Sequence, residues 1–379
     1  MSKYVLIPDS FKGTMSSRDI CRIVAEEIYA QEPDAEVCAI PMADGGEGTV
    51  EAFLTAVGGQ QVAVACTGPY GEPITACYGL LPDGTAVVEM AAAAGLPMVG
   101  ENRDPERTTT YGVGQLIAHA VSRGARRIVL ALGGSATNDG GCGAAAALGV
   151  RFFNRKGETF VPVGGTLKDI ARVSTEGMAE TLRRTPFMTM CDIDNPLCGP
   201  LGAAAVFGPQ KGAGPAMVRR LDEGLRHLAE VIRRDLGRDV LELPGGGAAG
   251  GFGAGAAAFF ASPLRMGIDV VLELTAFDEK AADADLIITG EGRLDSQSLR
   301  GKVVIGVARR AQKLGVPVVA LVGGSEPSMD EAYAAGVSGI FPINPYPAPL
   351  EDAMPRCGEH LAFTARNLLH FVESLRKMS

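Results

Sequence analysis

The 379-residue chain has no Trp, and its aromatic residues amount to 6%, so it lacks the platforms on which single-stranded nucleic acids stack. Positive charge is also short, with 35 Lys and Arg against 44 Asp and Glu and a formal net charge of −9. That balance excludes broad binding to nucleic acid or to an anionic membrane, both of which need clustered positive charge. A local basic pocket for a small phosphorylated ligand remains compatible with it. No stretch approaches 18 uninterrupted apolar residues, which argues against a membrane-spanning helix. The N-terminal run Tyr4 to Pro8 is too short for a signal peptide. Eight cysteines are scattered without a Cys-x-x-Cys pair, so reduced thiols in a soluble cytoplasmic protein are expected. The four histidines, His119, His227, His360 and His370, all fall in predicted helices outside the glycine clusters. A Ser-His-Asp hydrolase or a His-based zinc site is therefore disfavoured.

What the chain has in excess is glycine: 50 residues, about 13% against a usual ~7%, concentrated in loops. With 46% hydrophobic and 21% charged residues, the chain is long enough to bury a large core and is not disordered. Short apolar runs alternate with amphipathic stretches at both ends, as in a doubly wound α/β sheet. Strands are predicted at Tyr4 to Pro8, Val37 to Ile40, Leu286 to Thr289, Val316 to Val322 and Gly339 to Pro342. Helices are predicted after Ser16, near Thr49 to Val57, at Val303 to Lys313 and at Leu361 to Arg376. Between them, Val62 to Cys66, Ile74 to Tyr78 and Ala86 to Met90 are separated by turn signals such as Asp83-Gly84 and read as antiparallel hairpins. The expected layout is a discontinuous domain of residues 1–66 and 281–379, with an α/β domain of residues 67–280 inserted in it.

Six predicted strand ends share one pattern, in which an apolar run gives way to glycine with small, acidic or basic residues. They are Pro8 to Thr14, Ala43 to Thr49, Gly133 to Gly141, Cys191 to Pro196, Gly290 to Ser296 and Gly323 to Ser325. Ligands of open α/β sheets bind outside the carboxyl ends of the strands. Glycine there lets backbone N–H groups approach a phosphate, and a following helix start adds partial positive charge. Many acids and few bases in these loops favour a phosphate-plus-Mg²⁺ site. Asp192 and Asp194 are the candidates for catalysis and for holding Mg²⁺, which binds through one or two carboxylates plus substrate phosphates. The competing reading makes them turn and cap residues beside Asn195-Pro196. Lys12, Lys211 and Arg293 lie inside glycine motifs and are candidates for gripping a phosphate or a substrate carboxylate. If the discontinuous domain forms, the loops of Lys12 and Arg293 lie close together. Asp9, Ser10, Asp44, Glu47, Gly134, Ser135, Asn138, Asp139, Glu291 and Asp295 complete the candidate substrate- and phosphate-binding set. A Walker A loop is absent, since Gly301-Lys302 is followed by Val303. Gly245 to Gly250 spells a dinucleotide fingerprint within a run of glycines, which keeps an NAD-dependent oxidoreductase as an alternative, beside a non-catalytic nucleotide or metabolite binder.

These motifs, with Phe207-Gly-Pro-Gln-Lys-Gly212 and Thr289-Gly-Glu-Gly-Arg-Leu-Asp-Ser296 among them, resemble the signatures of class I glycerate kinases, in the same order and over essentially the whole chain. The resemblance implies a Rossmann-like domain plus a second α/β domain, with the active site in the cleft between them. It also implies Mg²⁺-dependent transfer of the γ-phosphoryl group of ATP to D-glycerate, giving 2-phosphoglycerate, with 3-phosphoglycerate the other possible product. Oligomeric state is left open.

Overall fold

The computed structural model describes residues 1–42, 45–296, 298–326, 329–347 and 349–378. The chain forms two units. One comprises Met1–Ala43, Thr55–Val57 and Ile268–Ser379, and the other, inserted in sequence, comprises Asp44–Leu54 and Gly58–Gly267.

The first unit carries a parallel sheet in the order Val337–Pro342, Val318–Val322, Leu286–Glu291, Lys3–Pro8, Glu36–Ala39. Its central strands are rich in apolar residues and buried at every position but Lys3, as expected of parallel strands covered on both faces. Helix Ser17–Gln31 begins where the Asp19 amide donates to Ser16 Oγ at 3.1 Å, which satisfies one of the donors left open at a helix start. Ile20, Cys21, Val24 and Ile28 then recur on one face and are buried, the spacing that turns a helix onto a sheet. The pairing register sets Pro8 beside Gly290 and Glu291 beside Val322. The loops after these three strands therefore leave the sheet side by side.

The second unit carries six strands in the order Leu264–Arg265, Phe187–Met190, Arg127–Ala131, Thr85–Glu89, Pro73–Leu80, Gln60–Thr67. The first four are mutually parallel and the last two antiparallel. Thr85–Glu89 is thus a hairpin partner on one side only, and on the other it pairs in parallel with Arg127–Ala131. A separate three-stranded antiparallel sheet holds Arg151–Phe153, Thr159–Phe160 and Arg172–Ser174. Register aligns Glu89, Ala131, Met190 and Arg265, so the loops that follow again share one edge.

The seams differ from the expected 66/67 and 280/281. Gln60–Thr67 pairs over its full length with Pro73–Leu80, and that ladder draws it into the second sheet. Helix Phe277–Ala281 belongs with the first unit, where Lys280 Nζ donates to Ala56 O at 3.1 Å. No helix among the described residues is long and apolar enough to cross a membrane, and all eight cysteines are free thiols.

Candidate active site

In the first unit, three glycine motifs meet at the carboxyl ends of adjacent strands. The Asp9 amide donates to Gly290 O at 2.8 Å, the Gly323 amide to Glu291 O at 3.2 Å and the Leu294 amide to Gly324 O at 2.9 Å. A Cβ on Gly292 would stand 3.6 Å from the Lys12 backbone nitrogen, so the loops of Lys12 and Arg293 are neighbours despite their distance in sequence. Both of these side chains are exposed. Asp9 Oδ1 accepts the Ser10 amide at 2.7 Å and shapes its own turn. Asp295 and Ser298 exchange bonds, with the Asp295 amide on Ser298 Oγ at 3.2 Å and the Ser298 amide on Asp295 Oδ1 at 3.3 Å.

Glu291 ends the central strand and is 6% exposed, and its Oε1 finds no hydrogen-bond partner. Burial pushes its pKa from 4.5 up to about 7; a Ser298 hydrogen bond and the Lys302 charge oppose the shift, and Asp9 and Asp295 add to it. A buried carboxyl among other acids binds a proton more tightly than one in water.

In the second unit the chain's own carboxylates occupy the helix starts that the sequence offers to a phosphate. Glu89 Oε1 accepts the Val50 amide at 2.6 Å and is bonded by the Gly48 and Thr49 amides, at the start of helix Thr49–Val57. Burial raises the Glu89 pKa, and these backbone bonds oppose it. Asp139 is fully buried and accepts the Thr110 amide and hydroxyl at 2.8 Å each, the Gly141 amide at 3.0 Å and the Gly143 amide at 3.2 Å. It ties together the starts of helices Tyr111–Ser122 and Cys142–Ala147. Four internal donors thus hold the carboxylate that the sequence offers as a ligand contact. Of the 43–49 motif, Glu47 is exposed, and Asp44 lies outside the described residues.

Lys211 is 2% exposed and donates to Ser135 Oγ at 2.6 Å and Thr137 O at 2.7 Å. Burial pulls its pKa down to about 7, against the pull of Asp139. Within this structure it latches the turn at 208–212 to the loop whose tip, Gly134, is exposed. Asn138 is fully buried, and neither side-chain atom has a partner. The loop sits close to the 45–48 segment: the Gly133 amide donates to Gly45 O at 2.7 Å, and a Cβ on Gly133 would fall 2.5 Å from Gly46 Cα. Asp192 and Asp194 follow Phe187–Met190 and are both exposed. Asp192 Oδ1 accepts the Gly267 amide at 2.6 Å.

The site residues thus form two sets, each at the carboxyl edge of a parallel array, and whole-chain comparison decides the family. A sequence model of the glycerate kinase family matches residues 4–373. The chain belongs to the glycerate kinase family. It is 44% identical over 368 residues to a glycerate kinase of Bacillus cereus, covering 97% of each chain. It is 40% identical over 368 residues to the glycerate 2-kinase of Escherichia coli K12, again covering 97% of each. A crystal structure from Salmonella typhimurium LT2 assigned as a glycerate kinase 2 superposes with a TM-score of 0.87 at 42% identity, over 99% of both chains. Glycerate kinases are ATP-dependent kinases.

The fingerprint at Gly245 to Gly250 has a different use in this fold. These residues are buried, the Gly140 amide donates to Gly250 O at 3.0 Å, and the Gly247 amide donates to Asn195 O at 3.0 Å. Ala249, Gly250 and Gly251 are consecutively left-handed, and a Cβ on Gly250 would lie 2.0 Å from Thr137 O. The run is an internal wedge against the loops at 137–140 and 195–197. That removes the sequence basis for an NAD-dependent oxidoreductase. Sequence reasoning missed Glu89, whose signal was an acid closing an otherwise apolar strand. It also missed Thr108, Thr109 and Thr110, all buried, whose role depends on partners distant in sequence.

Proposed function

We propose that the protein transfers the γ-phosphoryl group of ATP to the 2-hydroxyl of D-glycerate, giving 2-phosphoglycerate, in a reaction assisted by Mg²⁺. The observation that carries this reading is the family match along the whole chain, joined to glycine loops at the carboxyl ends of parallel strands in both units. Transfer to an alcohol needs positioning and charge neutralisation more than covalent help. Lys12 and Arg293, exposed on neighbouring loops, would grip the glycerate carboxylate or phosphate oxygens. Lys211 would act indirectly, by holding Ser135 and hence the Gly134 tip.

The donor chemistry fits Mg²⁺. Asp192 and Asp194 are exposed hard-oxygen ligands two residues apart, and no group of three or more acid, His or Cys side chains that could hold a metal ion occurs among the described residues. Mg²⁺ takes few protein carboxylates and completes its shell with phosphate oxygens and water. Asp192 and Asp194 would hold it, and it would neutralise charge on the transferring phosphate. One of the two could instead accept the hydroxyl proton.

A coupled ADP-release assay with D-glycerate and MgATP tests the activity, and phosphorus NMR of the product tests the position. Asp192→Asn and Asp194→Asn are nearly isosteric and are expected to fold. At least one should lower kcat by about 10²-fold or more. Wild-type turnover by both would overturn their assignment.

A further inference from the structure

The two large sheets have four outer edges, and three of them carry features that discourage pairing with another strand. Leu264–Arg265 is two residues long. Glu36–Ala39 has four and begins with an acid that lies 3.5 Å from Lys3 Nζ. Val337–Pro342 has a register irregularity in its ladder and ends in proline. Short length, charge, bulges and proline are the usual protections of a sheet edge.

Gln60–Thr67 has none of them. It runs for eight residues, Gln-Gln-Val-Ala-Val-Ala-Cys-Thr, without charge, proline or glycine, in unbroken register with Pro73–Leu80. Its outward-facing backbone groups can be identified. The ladder continues into Gly68, whose amide donates to Glu72 O at 2.7 Å, so even-numbered residues bond to the hairpin partner. The odd-numbered ones face away, by the two-residue period of a strand. Thr67 agrees: its amide is taken by Gln115 Oε1 at 2.8 Å and not by the ladder. That leaves the N–H and C=O groups of Gln61, Ala63 and Ala65. All three residues are exposed, and among the described residues no backbone bond reaches their outer side.

We infer that this edge pairs antiparallel with the same strand of a second copy of the chain, about a twofold axis at Ala63. Such an interface is self-complementary. Ala63 opposes its own copy and Gln61 opposes Ala65 of the other protomer. Each of these three pairs exchanges two backbone hydrogen bonds, and no charges of like sign meet. On the other face Val62 opposes Val64, which extends apolar cover across the junction. The small side chains at 63 and 65 leave the approach of the second strand unobstructed.

The test is the molar mass of the full chain by light scattering between 1 and 100 μM. Wild type should approach twice the 39.3 kDa of one chain as concentration rises. Ala63→Pro removes an outward N–H at the axis and leaves the hairpin ladder intact, since edge proline is tolerated where its nitrogen faces solvent. It should run as a monomer throughout. Ala63→Lys, which sets two ammonium groups face to face, should do the same and covers the case in which the proline variant does not fold. Turnover per chain should stay within twofold for both variants, because Ala63 does not belong to the candidate active site. A wild type that is monomeric at 100 μM, or a folded Ala63→Lys variant that still dimerises, overturns the inference.

Discussion

Replacing Lys211 by Met tests how the second unit holds its central loop, because Met keeps much of the length of Lys but has neither its charge nor its donors. In the folded protein burial lowers the Lys211 pKa from 10.5 to about 7. The folded value lies below the unfolded one, so between these two pH values the unfolded chain binds more protons. Stability therefore rises with pH across that window, and the cost of the buried ammonium is fully present below pH 7. A shift of this size corresponds to ~5 kcal/mol. Against it stand the bonds to Ser135 Oγ and Thr137 O. Without the ammonium these two buried acceptors are left unpaired, at ~1–3 kcal/mol each. Near pH 6 the two effects largely offset each other, and Lys211→Met should unfold within ~3 kcal/mol of wild type. At pH 10 most of the charge cost has gone from wild type, and the variant should be less stable by ~2–6 kcal/mol. Urea unfolding at pH 6, 8 and 10 measures the difference. Two pH curves that run parallel, at any separation, would refute the depressed lysine and leave its hydrogen bonds as its only contribution.

Glu291 should show the opposite slope. Its folded pKa of about 7 lies above 4.5, so the native state binds more protons between those values and this group weakens the fold as pH rises through them. Glu291→Gln should match wild type near pH 4 and exceed it by up to ~3 kcal/mol at pH 8; a Tm difference that does not widen with pH would count against the buried acid. Lys12→Met and Arg293→Lys should each cost ~1.5–3 kcal/mol of binding or turnover, with Arg293→Lys impaired because lysine lacks the bidentate fork. Steady-state kinetics with D-glycerate and ATP varied separately decide this, and unchanged parameters for both would sink the anion-grip reading. Ala249, left-handed at φ 52 and ψ 43, should be relieved by Ala249→Gly, with a gain of ~1 kcal/mol in urea unfolding. A loss would show that its methyl packing outweighs the strain.

The strands at the two ends of the chain were legible because each is a short apolar run stopped by small, polar or turn-forming residues. The discontinuous parallel sheet follows from them, as does the adjacency of the Lys12 and Arg293 loops. The seams were less legible, because whether Gln60–Thr67 joins the first or the second sheet depends on its pairing partner and not on its own composition. The loops were the hardest to read, and for a definite reason. A glycine-rich strand end supplies free amides, and amides bind whichever anion reaches them. At Gly48 to Val50 that anion is Glu89, 39 positions from Val50; at Gly141 and Gly143 it is Asp139, which also serves Thr110, 29 positions away. At Gly245 to Gly251 neighbouring backbone and side chains crowd the glycines closely. These loops are spelled alike and end differently. A glycine motif therefore states where amides are offered, and only the tertiary fold states which have already been taken. Lys12 and Arg293 on their strand-end loops, and Asp192 and Asp194 after Phe187–Met190, are exposed, and it is on that exposure that their proposed roles rest.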